Sequence, residues 1–332
     1  MLLTMALVAY SCAIGVLGPR LMRACYGRTD SPRVELATWL LLVASWTVSV
    51  VSVGLSVIAS SSNGHGLAGL IHACKYAVMN LIVIHDWRQA PQTIALLAVI
   101  AFLVRIATVG LGYRWRVHHD RAKRQRTVRL LAGPSHVGGY DLFTVPSSRV
   151  AAYCLPGRPA AIVLTRGAEK QLSEAERTAV IAHEIAHLNG RHHLYLGLAS
   201  TMTFAFPFVP LLNHASNEIA RLVERIADDR AGQRHGRRTV AEAIATMAIS
   251  GSTASLAPTG TLRATGTDVP ARVKRLLRPI HRTPALRHRR ILAALIVPAL
   301  AVGVAVATIA PSATADPPPA CMSPADADAS HK

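Results

Sequence analysis

The sequence S-E-A-E-R-T-A-V-I-A-H-E-I-A-H-L-N-G, residues 173–190, predicts a single helix. Ser173 and Glu176 have the spacing of a capping box, in which each side chain accepts a hydrogen bond from the other residue's backbone N–H. Residues 179–181 are apolar and form part of one side, and Gly190 is typical of a helix C-terminus. We therefore expect a helix that packs by one face and presents polar side chains on another.

Two histidines lie one turn apart on this predicted helix. His183 and His187 share a face, at the separation at which two imidazoles bind one tetrahedral metal ion. Glu184 follows the first histidine directly and can reach a water molecule on such an ion. Because H-x-x-x-H with Glu in second place also arises by chance, the motif requires a third ligand before it supports metal chemistry.

A second predicted helix, residues 216–236, offers that ligand in the sequence E-R-I-A-D-D. Glu224 and Asp228 are four residues apart and share a face. We expect Glu224 to be the third ligand of one zinc ion, with a fourth position left for water, and Asp228 to accept the free ring N–H of a ligand histidine. The alternative is an ordinary salt-bridged helix surface, because Arg221 and Arg225 flank Glu224.

The rest of the chain has the composition of a membrane protein. Of the 332 residues 51% are hydrophobic, and 36 Lys and Arg oppose 18 Asp and Glu; the mean hydropathy is +0.31. Apolar spans joined by basic cytoplasmic loops produce this combination. Four stretches have the roughly 20 apolar residues that a bilayer core requires: residues 2–18, 36–59, 93–112 and 291–310.

The orientation of these spans follows from three basic segments, residues 20–33, 114–129 and 272–290. With four spans all three fall on one side, which the positive-inside rule places in the cytoplasm. The predicted organisation is then a multi-pass cell-membrane protein with both termini extracytoplasmic. Its parts are a three-span bundle at 1–112 with an outer loop at about 60–92, a cytoplasmic domain at 113–290, a last span at 291–310, and a short disordered extracytoplasmic tail at 311–332.

Three features complicate this layout. Residues 67–87 are only partly apolar and are expected to form an interfacial helix in the outer loop. Residues 194–212 are long enough to cross, but a single crossing would divide the metal site, so we expect a helix packed in the domain or dipping into one leaflet, bent by Pro207 and Pro210. Arg105 lies in the third span near its cytoplasmic end, where snorkelling is favoured over a functional role.

The cysteines and the segment before the first metal helix leave alternatives open. The five cysteines form no C-x-x-C pair, so neither a disulfide framework nor a thiolate zinc site is indicated. A Cys74–Cys321 disulfide is less favoured than two free thiols, and Cys154 is either a small buried hydrophobe or an inhibitory thiolate near the metal. Residues 151–165 predict a hairpin around L-P-G-R-P, whose edge could pair with an extended peptide or be purely structural.

Four segments of this sequence resemble the BlaR/MecR-type membrane metallopeptidases, an antirepressor family of gluzincins related to heat-shock membrane proteases and CAAX prenyl endopeptidases. They are the H-E-I-A-H helix, the later E-R-I-A-D, the A-Y-C-L-P-G-R-P-A-A-I-V-L-T-R-G run and V-P-A-R-V-K-R-L-L. The resemblance covers residues 150–280 and, in outline, the spans. It implies a mainly α membrane protein with a cytoplasmic α+β gluzincin-like domain inserted before the last span.

The same resemblance implies that His183, His187 and Glu224 bind zinc and that Glu184 activates the attacking water. It also implies a zinc metalloendopeptidase that acts on a transcriptional repressor and on itself. Sensor members carry a penicillin-binding domain after the last span, whereas residues 311–332 follow here. We therefore do not expect this chain to sense β-lactams.

Two other functions compete with cleavage of a regulatory protein. One is a protease for quality control of membrane proteins, and the other is a non-catalytic receptor or scaffold, against which the intact set of acidic and histidine residues argues. The net charge of +18 also suggests nucleic-acid binding, but the basic runs adjoin the spans and no zinc-finger spacing accompanies them. The expected partners are therefore a protein or peptide substrate and the lipid bilayer. For oxyanion stabilisation the candidates are His192, His193, His214 and Asn217, none singled out by spacing.

Overall fold

The structure is a computed structural model that describes residues 2–26, 31–59, 90–250 and 268–278, with a few isolated positions between 71 and 82. The predicted fourth span at 291–310, the tail at 311–332 and the Cys74–Cys321 pair lie outside the described residues. So does the predicted interfacial helix at 67–87, apart from those isolated positions.

The described residues form a mainly helical protein with one small sheet, as predicted. Three long helices come first, then four strands, then six further helices. Their bounds are α1 Leu2–Tyr26, α2 Pro32–Ala59, α3 Ala90–Leu131, β1 Pro134–Val137, β2 Tyr140–Val145, β3 Ala152–Leu155, β4 Ala161–Thr165, α4 Arg166–Gln171, α5 Glu174–Asn189, α6 His192–Ala205, α7 Pro210–His235, α8 Arg237–Ser250 and α9 Val269–Leu277.

The first three helices are long and apolar enough to cross a bilayer, over Thr4–Ala24, Pro32–Ile58 and Ala90–Leu131. They contain the first three predicted spans. The 42 residues of α3 extend about 63 Å, twice the roughly 30 Å thickness of a hydrocarbon core. Only the apolar first half of α3 is needed for a crossing, and the basic second half continues beyond residue 112 towards the sheet.

The sheet has the strand order β1-β2-β4-β3. Gly138 and Gly139 join β1 to β2 with φ of 60° and 83°, the left-handed backbone that a two-residue hairpin turn requires. Strand β2 is parallel to β4, and β4 is antiparallel to β3, which confirms the hairpin predicted within residues 151–165. All five residues of β4 are buried, whereas β3 lies at the edge of the sheet beside α5.

Helix α5 begins with the predicted capping box. The Ser173 side chain accepts a hydrogen bond from the Glu176 N–H, and the Glu176 carboxylate accepts one from the Ser173 N–H at 2.8 Å. Glu176 also accepts a hydrogen bond from Thr246 at 2.8 Å, which joins α5 to α8. The start of the helix that carries both histidines is therefore tied to the domain core.

Replacing Ser173 by Ala is expected to lower the free energy of unfolding by about 1 kcal/mol, because loss of the N-cap hydroxyl leaves a backbone N–H donor of α5 unpaired. In thermal unfolding of the detergent-solubilised protein this is a decrease of roughly 2–4 °C. Thr178→Ala is the matched control: Thr178 is exposed on the same helix and bonds only to the preceding turn, at Glu174. Equal shifts in the two variants would contradict the capping role.

The apolar stretch at 194–212 differs from the single bent helix that was expected. Helix α6 ends at Ala205, residues 206–209 form a turn, and α7 begins at Pro210, earlier than the predicted residue 216, because proline suits the first turn of a helix. The resulting α6–α7 hairpin packs against α1, α2 and α3. One core cluster contains buried residues from all these helices except α3, with α3 side chains packed against it.

Arg105 on α3 does not follow the snorkelling expectation. Its Nε–H donates a hydrogen bond to the carbonyl oxygen of Ala205, at 2.6 Å. The expectation was wrong because the end of α6 offers an acceptor within the reach of the side chain. Arg105 therefore joins α3 to the C-terminal end of α6.

Candidate metal centre

Helices α5 and α7 pack against each other and bring three of the predicted ligands together. The Nε2 atoms of His183 and His187 are 3.1 Å apart. The two carboxylate oxygens of Glu224 lie 3.6 Å from His183 Nε2 and 3.5 Å from His187 Nε2. Within the part of the chain that the structure describes, these three residues form the group able to hold a metal ion.

This donor set fits zinc. Atoms bound at about 2.0–2.1 Å to a tetrahedral zinc ion lie roughly 3.3 Å from one another. The observed separations of 3.1, 3.5 and 3.6 Å bracket that distance, and two imidazole nitrogens with one carboxylate leave a fourth position for water or substrate. His183, His187 and Glu224 are therefore the residues that would hold the ion.

Asp228 holds the first histidine from behind. Its Oδ1 lies 3.1 Å from His183 Nδ1, and the Asp228 side chain is 0% exposed. A hydrogen bond from Nδ1–H to this carboxylate places the proton on Nδ1 and leaves the lone pair of Nε2 directed at the metal position. The structure thus places Asp228 where the sequence analysis expected it.

Arg272 on α9 completes the centre and was missed by sequence reasoning. Its Nε and Nη2 donate to the two carboxylate oxygens of Asp228 at 2.9 and 2.6 Å, and Nη1 lies 3.0 Å from Glu224 Oε2. In the sequence Arg272 is one of the basic residues that precede the predicted last span. The available signal was its place in V-P-A-R-V-K-R-L-L, one of the segments that carried the resemblance.

Arg272 and the histidines keep the carboxylates of Glu224 and Asp228 ionised. Burial raises the pKa of Glu224, but the charges of Arg272 and His187 outweigh it and hold this pKa well below the usual range. Burial also raises the pKa of Asp228, yet the hydrogen bond with His183 and the charge of Arg272 lower it to about 2. Glu224 therefore offers an ionised carboxylate to a metal ion, and Asp228 an ionised acceptor to His183.

The first histidine carries protons on both ring nitrogens when no metal is bound. Burial lowers the pKa of His183, but hydrogen bonds to Asp228 and Glu224 raise it to about 10. The imidazolium thus supplies positive charge between two carboxylates in the metal-free protein. Metal binding has to displace the proton on Nε2, because only the neutral ring offers Nε2 as a ligand.

His192 contacts the second histidine, in a position that supports that ligand. Its Nδ1 lies 2.9 Å from the Nδ1 of His187, and burial, followed by the charge of His187, lowers the pKa of His192 to about 3. A neutral His192 accepts the Nδ1–H of His187, which leaves Nε2 of His187 free for the metal. Gly190 provides the space, because a Cβ there would meet His192 Nε2 at 2.3 Å.

We expect His192→Ala to lower zinc affinity about 10- to 100-fold, since loss of such a supporting partner frees the ligand's orientation and tautomer. Competition with a zinc chelator of known affinity measures the change. His193→Ala is the control, because the neighbouring His193 is half-buried and its Nδ1 has no hydrogen-bond partner among the described residues. Equal losses in both variants would show that His192 only packs.

A cleft of about 280 Å³ opens beside the ligands. Glu184 lies in its wall with His183, Glu224 and Arg272, and the remaining lining is apolar. The other oxyanion candidates, His193, His214 and Asn217, do not line this cleft. Glu184 is therefore an acidic side chain that lies next to the metal position but is not one of the three ligands.

Cys154 on the edge strand β3 approaches Glu184 from the sheet side. Burial, and then the charge and hydrogen bond of Glu184, raise the pKa of the Cys154 thiol well above its usual value. Cys154 is half-buried and free. A neutral thiol does not suit an inhibitory metal ligand, which must be a thiolate, so the structure favours the apolar packing role for Cys154.

An H-E-x-x-H helix, a glutamate from a following helix and a carboxylate behind the first histidine define a metallopeptidase-type centre. Residues 119–280 match the model of Peptidase family M48, just under half of the chain, and members of that family are zinc metallopeptidases. A relative described as "Protease HtpX homolog", from Acaryochloris marina (strain MBIC 11017), is 37% identical over 84 residues, which cover 25% of this chain and 29% of the relative.

These findings, with the three apolar helices, support a membrane metallopeptidase of the M48 type. The chain spans less than a third of the length of the relative it matches. The narrower resemblance to BlaR/MecR-type peptidases stays a prediction, as do the number of spans and the side of the membrane on which the domain lies.

Proposed function

We propose that this protein is a zinc-dependent endopeptidase embedded in the cell membrane. The observation that supports the proposal most directly is the spacing of the donor groups: the Nε2 atoms of His183 and His187 are 3.1 Å apart, and each lies 3.5–3.6 Å from one of the two carboxylate oxygens of Glu224. Glu184 lies in the wall of the adjoining cleft. Neither an ordinary salt-bridged helix surface nor a decayed site requires two imidazoles to face one carboxylate at this spacing.

The residues of the site have separate roles in the proposed hydrolysis of a peptide bond. Zinc, when bound, acts as a Lewis acid that activates water and polarises a peptide carbonyl. Glu184 takes the proton of the attacking water and later delivers it to the leaving amine. Asp228 and His192 orient the two histidines, and Arg272 holds the carboxylates of Glu224 and Asp228 in place.

The substrate is proposed to bind as an extended chain along β3. This strand ends the sheet, and its outer edge has no partner strand among the described residues. Because Cys154 on β3 approaches Glu184, a peptide paired with that edge would pass beside the catalytic carboxylate. Main-chain pairing is tolerant of sequence, and the apolar walls of the cleft favour an apolar side chain near the cleaved bond.

The substrate is proposed to be a cytoplasmic regulatory protein, on the basis of the resemblance to peptidases that cut a transcriptional repressor, with self-cleavage as part of signalling. The basic segments favour a cytoplasmic catalytic domain and extracytoplasmic termini. Broad cleavage of unfolded proteins would instead indicate quality control. A protein that binds no metal and cuts nothing would be a receptor or scaffold.

Metal removal tests the proposal. The purified protein in detergent is expected to contain about one zinc ion per chain, to cut casein or a repressor encoded nearby, and to lose activity after treatment with 1,10-phenanthroline. Adding back stoichiometric zinc should restore cleavage, because the ligands His183, His187 and Glu224 remain intact. A protein that purifies without metal, gains none and cuts neither substrate would contradict the assignment.

A further inference from the structure

We propose that the α6–α7 hairpin is a re-entrant element that penetrates to the middle of the bilayer and presents an apolar face to lipid. The hairpin consists of α6, the turn at residues 206–209 and the first turns of α7. Its depth, its internal hydrogen bonds and its exposed side chains support this independently. The proposal concerns lipid contact and does not depend on the proposed peptidase activity.

The depth of the hairpin follows from its contacts with α3. Helix α6 runs antiparallel to α3: a Cβ on Gly110 would lie 3.3 Å from Thr201, and the rings of Phe102 and Phe206 stack with centroids 4.7 Å apart. Phe102 lies ten residues, about 15 Å, before residue 112, where the apolar span ends. That distance is half the roughly 30 Å of a hydrocarbon core.

The other two spans place the turn at the same depth. The Trp46 ring on α2 lies 5.8 Å from the Phe206 ring, and Trp46 is near the middle of the Pro32–Ile58 span. On α1 a Cβ at Gly15 would lie 3.8 Å from Val209, and Gly15 is near the middle of the Thr4–Ala24 span. Three spans therefore agree that the turn reaches the bilayer centre.

The turn hydrogen-bonds its own polar groups, as non-helical backbone at this depth must. The Phe206 carbonyl accepts from the Val209 N–H at 3.1 Å, and the Pro207 carbonyl accepts from the Asn213 side chain at 2.7 Å. Residues 207 and 210 are prolines, which have no N–H to satisfy. The backbone of the turn thus needs little water.

Arg105 hydrogen-bonds to the C-terminus of α6. The last carbonyls of a helix lack partners within the helix and carry the negative end of its dipole. The guanidinium of Arg105 donates to the Ala205 carbonyl at 2.6 Å. A positive charge that is unfavourable within a span is thereby paired with a helix end that lacks hydrogen-bond partners.

The outer face of the hairpin has the chemistry of a lipid contact. Four large apolar side chains at intervals of four or six residues are exposed: Leu194, Leu198, Phe204 and Phe208, the last at 77%. The neighbouring span α3 also exposes apolar side chains, among them Leu103 at 48% and Val104 at 52%. The occupant of this surface is therefore bilayer hydrocarbon.

The proposed depth also locates the metal centre. Glu224 lies fourteen residues, about 21 Å, beyond Pro210 on α7. If α7 runs along the bilayer normal from a point about 15 Å deep, Glu224 lies roughly 6 Å outside the hydrocarbon, in the headgroup layer. Resting on the proposed function, this places the cleaved bond at the membrane surface.

Site-directed spin labelling tests the depth. Single cysteines replace Phe208, Leu103 or Leu130 in a full chain whose five native cysteines are changed to serine, reconstituted in phosphatidylcholine–phosphatidylglycerol vesicles. Leu103 and Leu130 are matched references, both exposed leucines on α3, one in the span and one at its basic end. The ratio of collisions with oxygen to collisions with a soluble nickel chelate should be equal at 208 and 103, and several-fold lower at 130.

A second comparison keeps the native cysteines. Phe208→Lys should lower the melting temperature of the reconstituted protein by several degrees, because the charge enters hydrocarbon, whereas Leu130→Lys should leave it unchanged. A label at 208 that behaves like the one at 130, or a Phe208→Lys variant as stable as the wild type, would overturn the proposal. Neither readout uses proteolysis, so this outcome would leave the peptidase assignment untouched.

Discussion

Replacing Glu184 by Gln is expected to lower the catalytic rate by a factor of about 100 to 10,000, the range that general acid–base catalysis contributes. The amide has nearly the same shape as the carboxylate but cannot take a proton from water. Glu184 is not among the three ligand residues, so zinc content should remain at the wild-type level. Initial rates on casein or repressor, with metal analysis of the same preparation, measure both quantities.

Glu174→Gln is the matched control for this variant, because Glu174 is exposed in the first turn of the same helix. It should retain wild-type rates and zinc. Loss of zinc in Glu184→Gln would mean that Glu184 is a ligand. Full activity of Glu184→Gln would mean that another group acts as the base.

Arg272→Met is expected to destabilise the metal-free protein by about 3–5 kcal/mol, the cost of removing one partner from a buried ion pair. Asp228 is 0% exposed, and Glu224 is 22% exposed; both would keep their charge with less compensation. Bound zinc supplies positive charge beside Glu224, so the zinc-loaded variant should lose less. Melting temperatures with and without zinc test this, and the metal-free decrease should be roughly 10 °C.

An exposed ion pair provides the control for Arg272. Arg238 pairs with Glu242 on α8 at 2.8 Å, with side chains 85% and 52% exposed. Because solvent screens an exposed pair, replacing Arg238 by Met should leave the melting temperature nearly unchanged in either state. If Arg272→Met lowers the melting temperature equally with and without zinc, Arg272 supports the fold alone. If it behaves like Arg238→Met, the buried network contributes little.

The local elements were predictable because their signals are local. The capping box of α5, the first three apolar spans and the β3–β4 hairpin each depend on residues within a few positions of one another. The two histidines were also within reach of sequence reasoning, since a separation of four residues places both on one helix face. The choice of Glu224 used helix periodicity together with the ligand count of a catalytic zinc site.

The residues that were missed or misplaced depend on contacts between distant segments. Arg272 meets Asp228 across 44 positions, and nothing in a basic run before a predicted span distinguishes one arginine from its neighbours. The contact between His192 and His187 was not predicted, because it depends on the left-handed backbone of Arg191 between α5 and α6. Arg105 was assigned to snorkelling because its acceptor lies a hundred positions away.

The sequence by itself determined that the chain has apolar spans, an H-E-x-x-H helix and an acidic second helix, because hydropathy and periodicity are properties of neighbouring residues. Only the tertiary structure decided that α6 and α7 pack against the three long apolar helices and that Arg272 binds two carboxylates. An apolar segment avoids water equally well in lipid or in protein, and a charged side chain can face either solvent or a buried partner. Packing alone distinguishes these outcomes.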